Sequence, residues 1–315
     1  MQHAFSRFEM LVGPDAIDKL KRSRVAVFGV GGVGSFVVEG LARSGIGRFV
    51  LIDNDVICES NINRQLQATT KTIGRAKVDV MKERILDINP EAEVETHQLF
   101  YLPGTSDELL DDHIDYIVDA IDTVTAKVDL VMKAREMGIP IICSMGTGNK
   151  FDPTKLCITD ISKTSIDPLA RVMRKELRDR GIKSLKVLFS TEVPAAVLQP
   201  AEEEEDWKIE QDKCRICDSR HGKKEIVSVE SSNQESGQDE VSNHESGQNE
   251  NRSIDAIKQE CDSGECMQGN VNIMNISNSI SGNKKRRGIP GSTAFVPPAA
   301  GLLIASEVVK DIIGK

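Results

Sequence analysis

Short β-branched runs alternate along this chain with longer stretches whose apolar residues recur every three or four positions. Residues 24–29, Arg-Val-Ala-Val-Phe-Gly, read as a buried strand, 33–44 as a helix and 48–53 as a second strand. Residues 74–89 read as a helix that ends at Asn89, because the residue before a proline avoids the helical region. Further strands are expected over 94–102, 115–119 and 140–144, with a helix over 125–138. An amphipathic, arginine-rich helix over 167–181 precedes a strand over 185–190, and 299–313 reads as a closing helix. Strand and helix in this alternation predict an α/β fold: a Rossmann-like, doubly wound, mostly parallel sheet with helices on both faces.

The pattern lapses between 201 and 283, a stretch rich in Glu, Ser, Asn, Gln and Gly. Within it a polar decamer repeats, 232–240 recurring as 242–250 with two changes. Two copies of a polar decamer cannot bury a core, so the segment is expected to be a disordered, low-complexity insert within a single domain spanning 1–315. Charge follows the same division. The insert carries 19 acidic and 8 basic side chains, leaving 30 acidic and 32 basic on the remainder. The net charge of −9 therefore describes the insert, and does not exclude a nucleic-acid partner for the body. The longest uncharged run, 288–306, holds three prolines and cannot span a bilayer, and Arg7 and Glu9 interrupt any signal-peptide core, so a cytoplasmic location is expected.

Candidate chemistry begins at Gly29-Val-Gly31-Gly32-Val-Gly34, between an expected strand and an expected helix. Glycines there let the backbone turn tightly and approach a phosphate at the helix N-terminus, and Asp53 ends the next strand, placed for a ribose. Taken alone, this is a generic dinucleotide signal. The next residues change it: Asp53-Asn-Asp55, Asn61-Ile-Asn-Arg64-Gln65, Gly74-Arg-Ala-Lys77, and Asp122 after a further strand. A triphosphate needs more cations than a pyrophosphate, which Arg64 and Lys77 supply, and Asp122 is a hard oxygen ligand for Mg²⁺. Singly, the two cations also read as solvated loop charges, and Asp122 as a helix N-cap before Thr123. Together with the glycine turn they read as an ATP site.

In this combination the motifs resemble the ThiF/MoeB/HesA-type adenylyltransferases of the ubiquitin-activating-enzyme superfamily, over residues 5–160 and 288–315. The resemblance implies that Gly29, Gly31, Gly32, Gly34, Asp53, Asp55, Asn61, Arg64, Gln65, Lys77 and Asp122 bind MgATP, with Arg64, Lys77 and Asp122 acting in catalysis. It also implies a homodimer, in which Arg7 reaches into the neighbouring subunit's ATP site. Residues 159–181 resemble the tRNA threonylcarbamoyladenosine dehydratase branch, which activates a threonine carboxylate on a modified tRNA adenosine and closes it into a ring with loss of water. Arg171, Arg174, Lys175, Arg178 and Arg180 crowd that segment, and Lys284-Lys-Arg-Arg287 adds a second basic cluster, both suited to tRNA phosphates. The alternative within the superfamily is activation of a small sulfur-carrier protein at its C-terminal carboxylate; a cysteine desulfurase or sulfur-acceptor system is a candidate partner.

Seven cysteines, an odd number, argue for reduced thiols. Cys214-Arg-Ile-Cys217 with His221 has the spacing of half a zinc site, but Cys261 and Cys266 are spaced by five positions and not three, a departure from the two Cys-x-x-Cys pairs of the superfamily. The branch carries a nucleophilic cysteine near the position of Arg286, where this chain has none; Cys266 is the nearest candidate and Cys261 the next. Cys58, Cys143 and Cys157 read as packing residues in or beside strands.

Overall fold

The computed structural model describes residues 3–104, 109–198 and 290–315. Seven strands form one sheet: β1 (Arg24–Phe28), β2 (Arg48–Ile52), β3 (Glu93–His97), β4 (Tyr116–Asp119), β5 (Ile141–Ser144), β6 (Leu156–Asp160) and β7 (Lys186–Ser190). Their order is β3-β2-β1-β4-β5-β7-β6, parallel throughout except for β6, which pairs antiparallel with β7 at the edge. The central strands are buried on both faces, which explains why Val25, Ala26, Val27 and Phe28 form a continuous apolar run and not an alternating one.

Among the described residues, seven α-helices accompany them: α1 (Ser6–Val12), α2 (Pro14–Arg22), α3 (Gly34–Arg43), α4 (Lys77–Ile88), α5 (Val124–Met137), α6 (Pro168–Asp179) and α7 (Val296–Ile313). Caps set several of their ends. Pro168 occupies the first turn of α6 and the Asp167 carboxylate accepts a bond from Ala170 N at 2.8 Å, while α5 stops at Gly138 in the left-handed region, φ +71°. The expected strand over 94–102 ends early, at His97, and the expected helix from 74 starts only at Lys77. Helices α1 and α2 and strand β6 carry no counterpart in the sequence expectations.

Helix α7 joins the sheet from far along the chain. Val296, Ala300, Ile304, Val308 and Ile312, one turn apart, lie in the same core cluster as Val25, Val27 and Val118. Polar clasps fix its far end: Tyr116 OH donates to Asp311 at 2.6 Å, and Lys186 bridges Glu307 at 2.9 Å and Asp311 at 2.7 Å. Among the described residues no helix is long and apolar enough to cross a membrane. The insert at 201–283, with its repeat, lies outside the described residues.

Candidate nucleotide site

The strand order reverses between β1 and β4, so the loops leaving their carboxyl ends diverge and open a crevice. A cavity of about 520 Å³ occupies that place. The glycine turn forms its floor, and the four glycines have different reasons to be there. Gly29 adopts φ +86°, and a Cβ on it would stand 2.7 Å from Ala120 O. A Cβ on Gly34 would meet Gly29 O at 1.8 Å, so Gly34 shapes the turn and does not itself line the cavity. Around Gly31, by contrast, a Cβ would find nothing nearer than Gln65 Nε2 at 3.9 Å. Protein packing does not require that glycine; the open space beside it does.

Asp53 leaves β2 and turns back over the glycine turn. Its Oδ2 accepts from Val30 N at 2.6 Å and its Oδ1 from Asp55 N at 2.9 Å. Lys77, at the start of α4, donates to Asp55 at 2.5 Å and lies 4.0 Å from Asp53. Burial pushes the Asp53 carboxyl above its ordinary range, and the Lys77 ammonium only partly offsets that. For Lys77, burial favours the neutral amine, yet Asp53 and Asp55 together more than reverse it, so its pKa is raised. Lys77 is therefore a buried, compensated cation, not the solvent-edge charge expected of a loop residue.

Arg64 is the opposite case. Its guanidinium donates to Ser60 O at 2.7 Å and to the Asn63 side chain at 2.9 Å, with no carboxylate bridge among the described residues. Burial lowers its pKa, and no carboxylate among the described residues offsets that. A partly desolvated cation facing a cavity without an acidic partner is what an anion site looks like before the anion arrives.

Asn61 and Gln65 complete the wall; Asn61 Oδ1 accepts from Cys58 N at 3.2 Å, which fixes the turn that carries Arg64. Asp122 is exposed at the cavity's edge and is not the helix cap, which is Thr123; among the described residues only Thr123 Oγ1 donates to it, at 3.3 Å. Asp119, which also ends β4, is unavailable, being buried against Lys127 at 2.9 Å with both side chains at 0% exposure. Ten of the expected binding residues thus line one cavity: Gly29, Gly31, Gly32, Asp53, Asp55, Asn61, Arg64, Gln65, Lys77 and Asp122.

Others fall elsewhere. Arg7 is exposed on α1 and does not line its own chain's cavity. Cys266, Cys261, the Cys214/Cys217/His221 half-site and the 284–287 basic cluster lie outside the described residues. Cys143 sits in β5 as expected and Cys157 in β6, a strand the sequence did not predict, whereas Cys58 lines the cavity and is not strand packing. Among the described residues no cluster of three metal-ligating side chains occurs.

Sequence reasoning missed the cavity's far wall, built by Leu99, Phe100 and Tyr101 after β3 and by Thr147, Gly148 and 290–292. That wall is pinned by Lys150, buried at 2%, whose ammonium donates to Gly146 O at 2.5 Å and to Asp167 at 2.9 Å. Asn149 holds the rest: its N donates to Gly291 O at 2.8 Å, its side chain accepts from Gly291 N at 2.6 Å, and its carbonyl from Ala195 N at 2.7 Å.

The model of the ThiF family matches residues 5–315. A tRNA threonylcarbamoyladenosine dehydratase of Bacillus subtilis (strain 168) is 48% identical over 205 residues, covering 65% of this chain and 81% of that one. Its counterpart in Escherichia coli (strain K12) is 38% identical over 190 residues, 58% of this chain and 71% of that one. The crystal structure of E. coli tRNA N6-threonylcarbamoyladenosine dehydratase, TcdA, in complex with ATP superposes with a TM-score of 0.59 at 37% identity, over 61% of this chain and 82% of that chain.

Proposed function

This chain belongs to the ThiF family, and from that premise we propose that it is an ATP-dependent tRNA threonylcarbamoyladenosine dehydratase. The observation that carries the reading is Arg64: a desolvated guanidinium without a carboxylate partner, in the same cavity as the glycine turn. The glycine turn largely satisfies the pyrophosphate of a dinucleotide, whereas a triphosphate needs further cations.

A carboxylate oxygen of N6-threonylcarbamoyladenosine attacks the α-phosphorus of ATP, and pyrophosphate leaves. The carbamoyl group of the same modification then closes onto the activated acyl carbon, expelling AMP. The net change on the nucleoside is loss of water. Arg64 and Lys77 neutralise phosphate charge as it shifts towards the leaving group, and the rigid turn over 29–34 positions the α-phosphorus. Asp53 keeps lone pairs for ribose hydroxyls, because each of its oxygens accepts only one backbone bond.

Charge counting supports two further parts of the proposal. The cavity lining holds three carboxylates (Asp53, Asp55 and Asp122) against two cations (Arg64 and Lys77), too few to neutralise a triphosphate. Exposed Asp122, with almost all its acceptor capacity unused, fits Mg²⁺, which takes one or two carboxylates and fills its shell with water and phosphate oxygens. When bound, the ion would supply Lewis-acid polarisation of the phosphates. In a homodimer, exposed Arg7 on α1 would add a cation to the site of a second copy.

Pyrophosphate release from ATP tests the reaction. It is expected with tRNA bearing threonylcarbamoyladenosine and not with tRNA lacking that carboxylate. Release driven only by a carrier protein with a free C-terminal glycine would overturn the substrate while leaving carboxylate adenylation in place.

A further inference from the structure

Five cations crowd the segment around α6, but they are not equivalent. Arg174 turns inward: its Nη1 donates to Thr164 O at 2.8 Å, to Ile161 O at 3.3 Å and to the Thr164 hydroxyl. Arg180 reaches back to the Glu176 carbonyl and carboxylate, both at 2.8 Å. Both are occupied in holding the fold. Arg171, Lys175 and Arg178 are exposed and have no ion pair among the described residues. Their spacing of four and then three places them in a row on one helix face, opposite buried Ala170, Met173 and Leu177. At 1.5 Å per residue the row is about 10 Å long. Exposed Lys163 and Lys183 flank the helix in sequence, likewise unpaired among the described residues.

Like charges at these separations repel, and exposed Asp179, four residues after Lys175, forms no ion pair with the row among the described residues. What marks this row out from other surface lysines is its attachment. Asp167 caps α6 and is also the buried partner of Lys150, two residues after Thr147 and Gly148 in the cavity wall. The Asp167 carboxylate lies so near Gly146 that a Cβ there would stand 3.1 Å from it. Ile166, exposed and β-branched, is held at φ +65° beside this anchor, a conformation that persists only where surrounding structure imposes it. Asp167, four residues before Arg171, thus anchors the start of α6 beside the wall of the nucleotide cavity.

We propose that Arg171, Lys175 and Arg178 form the phosphate-binding row on which the tRNA substrate docks, and that Arg174 takes no part. The inference rests on the dehydratase reading: a polyanion bound on α6 is held at a fixed offset from the cavity in which its carboxylate reacts. Each phosphate neutralised adds about −0.7 to −0.9 to the slope of log affinity against log salt concentration.

The test uses the full chain and tRNA bearing threonylcarbamoyladenosine. Arg171→Gln/Lys175→Gln/Arg178→Gln is expected to make the salt slope shallower by about 2–3, with ATP affinity unchanged and a thermal midpoint equal to or above that of wild type. The double variant Arg171→Gln/Arg178→Gln should show about two-thirds of that change. Arg174→Gln should lower the thermal midpoint and leave the slope as in wild type. An unchanged slope in the triple variant, with pyrophosphate release still dependent on the modified tRNA, overturns the docking row alone. Pyrophosphate release that ignores the modified tRNA overturns the reaction and the row together. A triple variant impaired only towards a carrier protein would assign the row to that partner instead, and overturn the proposal.

Discussion

Replacing Arg64 and Lys77 one at a time separates two tasks that cations perform in this cavity. In the proposed reaction both neutralise phosphate charge, so each alanine variant should lose about 2–4 kcal/mol of transition-state stabilisation, or about 30- to 900-fold in turnover. Stability should split them. Lys77 is 4% exposed and holds Asp55 at 2.5 Å and Asp53 at 4.0 Å; without it, Asp53 is a buried carboxylate with no cation. Breaking a buried pair typically costs about 3–5 kcal/mol. The Asp55 side chain is 35% exposed and can rehydrate, which brings the expectation for Lys77→Ala down to about 2–3 kcal/mol. At about 2–4 °C per kcal/mol for a body of this size, the melting temperature should fall by about 5–10 °C. Arg64 pays a desolvation cost with no carboxylate to offset it, so Arg64→Ala should leave the melting temperature unchanged or slightly higher without nucleotide. Saturating ATP, which raises the midpoint of wild type by mass action, should do so much less in either variant. Thermal scans with and without ATP, beside pyrophosphate release, read both effects. An Arg64→Ala protein destabilised as much as Lys77→Ala, or turning over like wild type, would refute the reasoning.

The glycine turn gives a second contrast. Gly31→Ala should fold normally yet lose most of the ATP-induced thermal shift, whereas Gly34→Ala, whose Cβ would stand 1.8 Å from Gly29 O, should be grossly destabilised or insoluble. Glu39 on α3 accepts from Arg84 at 2.7 and 2.9 Å and from Arg43 at 2.7 Å; burial pushes its carboxyl up, but the two guanidinium groups pull it lower still. Its pKa in the folded state is therefore below the ordinary value of 4.5, so this stabilisation is fully present above that value and fades as pH falls through the lowered one. Glu39→Gln should be about 1–2 kcal/mol less stable at pH 7 by denaturant titration, a gap that closes below pH 4.5. Replacing 228–252 by a short Gly/Ser linker should change neither the melting temperature nor its response to ATP, because that stretch carries few large apolar side chains.

The half of the site that was legible in the sequence lies close together in the chain. Residues 29–34, 53–55, 61–65 and 74–77 follow one βαβ unit and the start of the next, and their motif spacing encodes their convergence. The far wall was hidden because 147–148 and 290–292 meet through one backbone bond and one side-chain bond between Asn149 and Gly291, more than 140 residues apart. Strand β6 was missed for a related reason: its pairing with β7 is antiparallel and at the edge, outside the βαβ rhythm from which the other strands were read. In α2 only Ile17 and Leu20 are buried, and the charges around them conceal so narrow an apolar face. Lys127 beside Val128 reads as solvated, since its partner Asp119 lies on another element.

Two of the concealed residues, Lys127 and Lys150, perform the same task on opposite sides of the cavity. Each is a lysine with a side chain no more than 1% exposed, paired at 2.9 Å with an aspartate at 0%. Such pairs add little to stability over an apolar core, because desolvation consumes most of the attraction. Their positions account for them better. Asp119 ends β4 and accepts from Ile121 N at 3.1 Å, which aims the lip that carries Asp122. Lys150 draws the Gly146 carbonyl and the Asp167 carboxylate together and so holds the wall at Thr147 and Gly148. An apolar side chain could fill either volume but could not orient a carbonyl or an amide. Most of the charged groups lining this cavity come from loops, and loops hold their geometry only when supporting bonds over-determine it. Buried pairs at the carboxyl edge of the sheet supply that constraint, leaving Arg64 and Asp122 as the cavity charges that form no ion pair among the described residues.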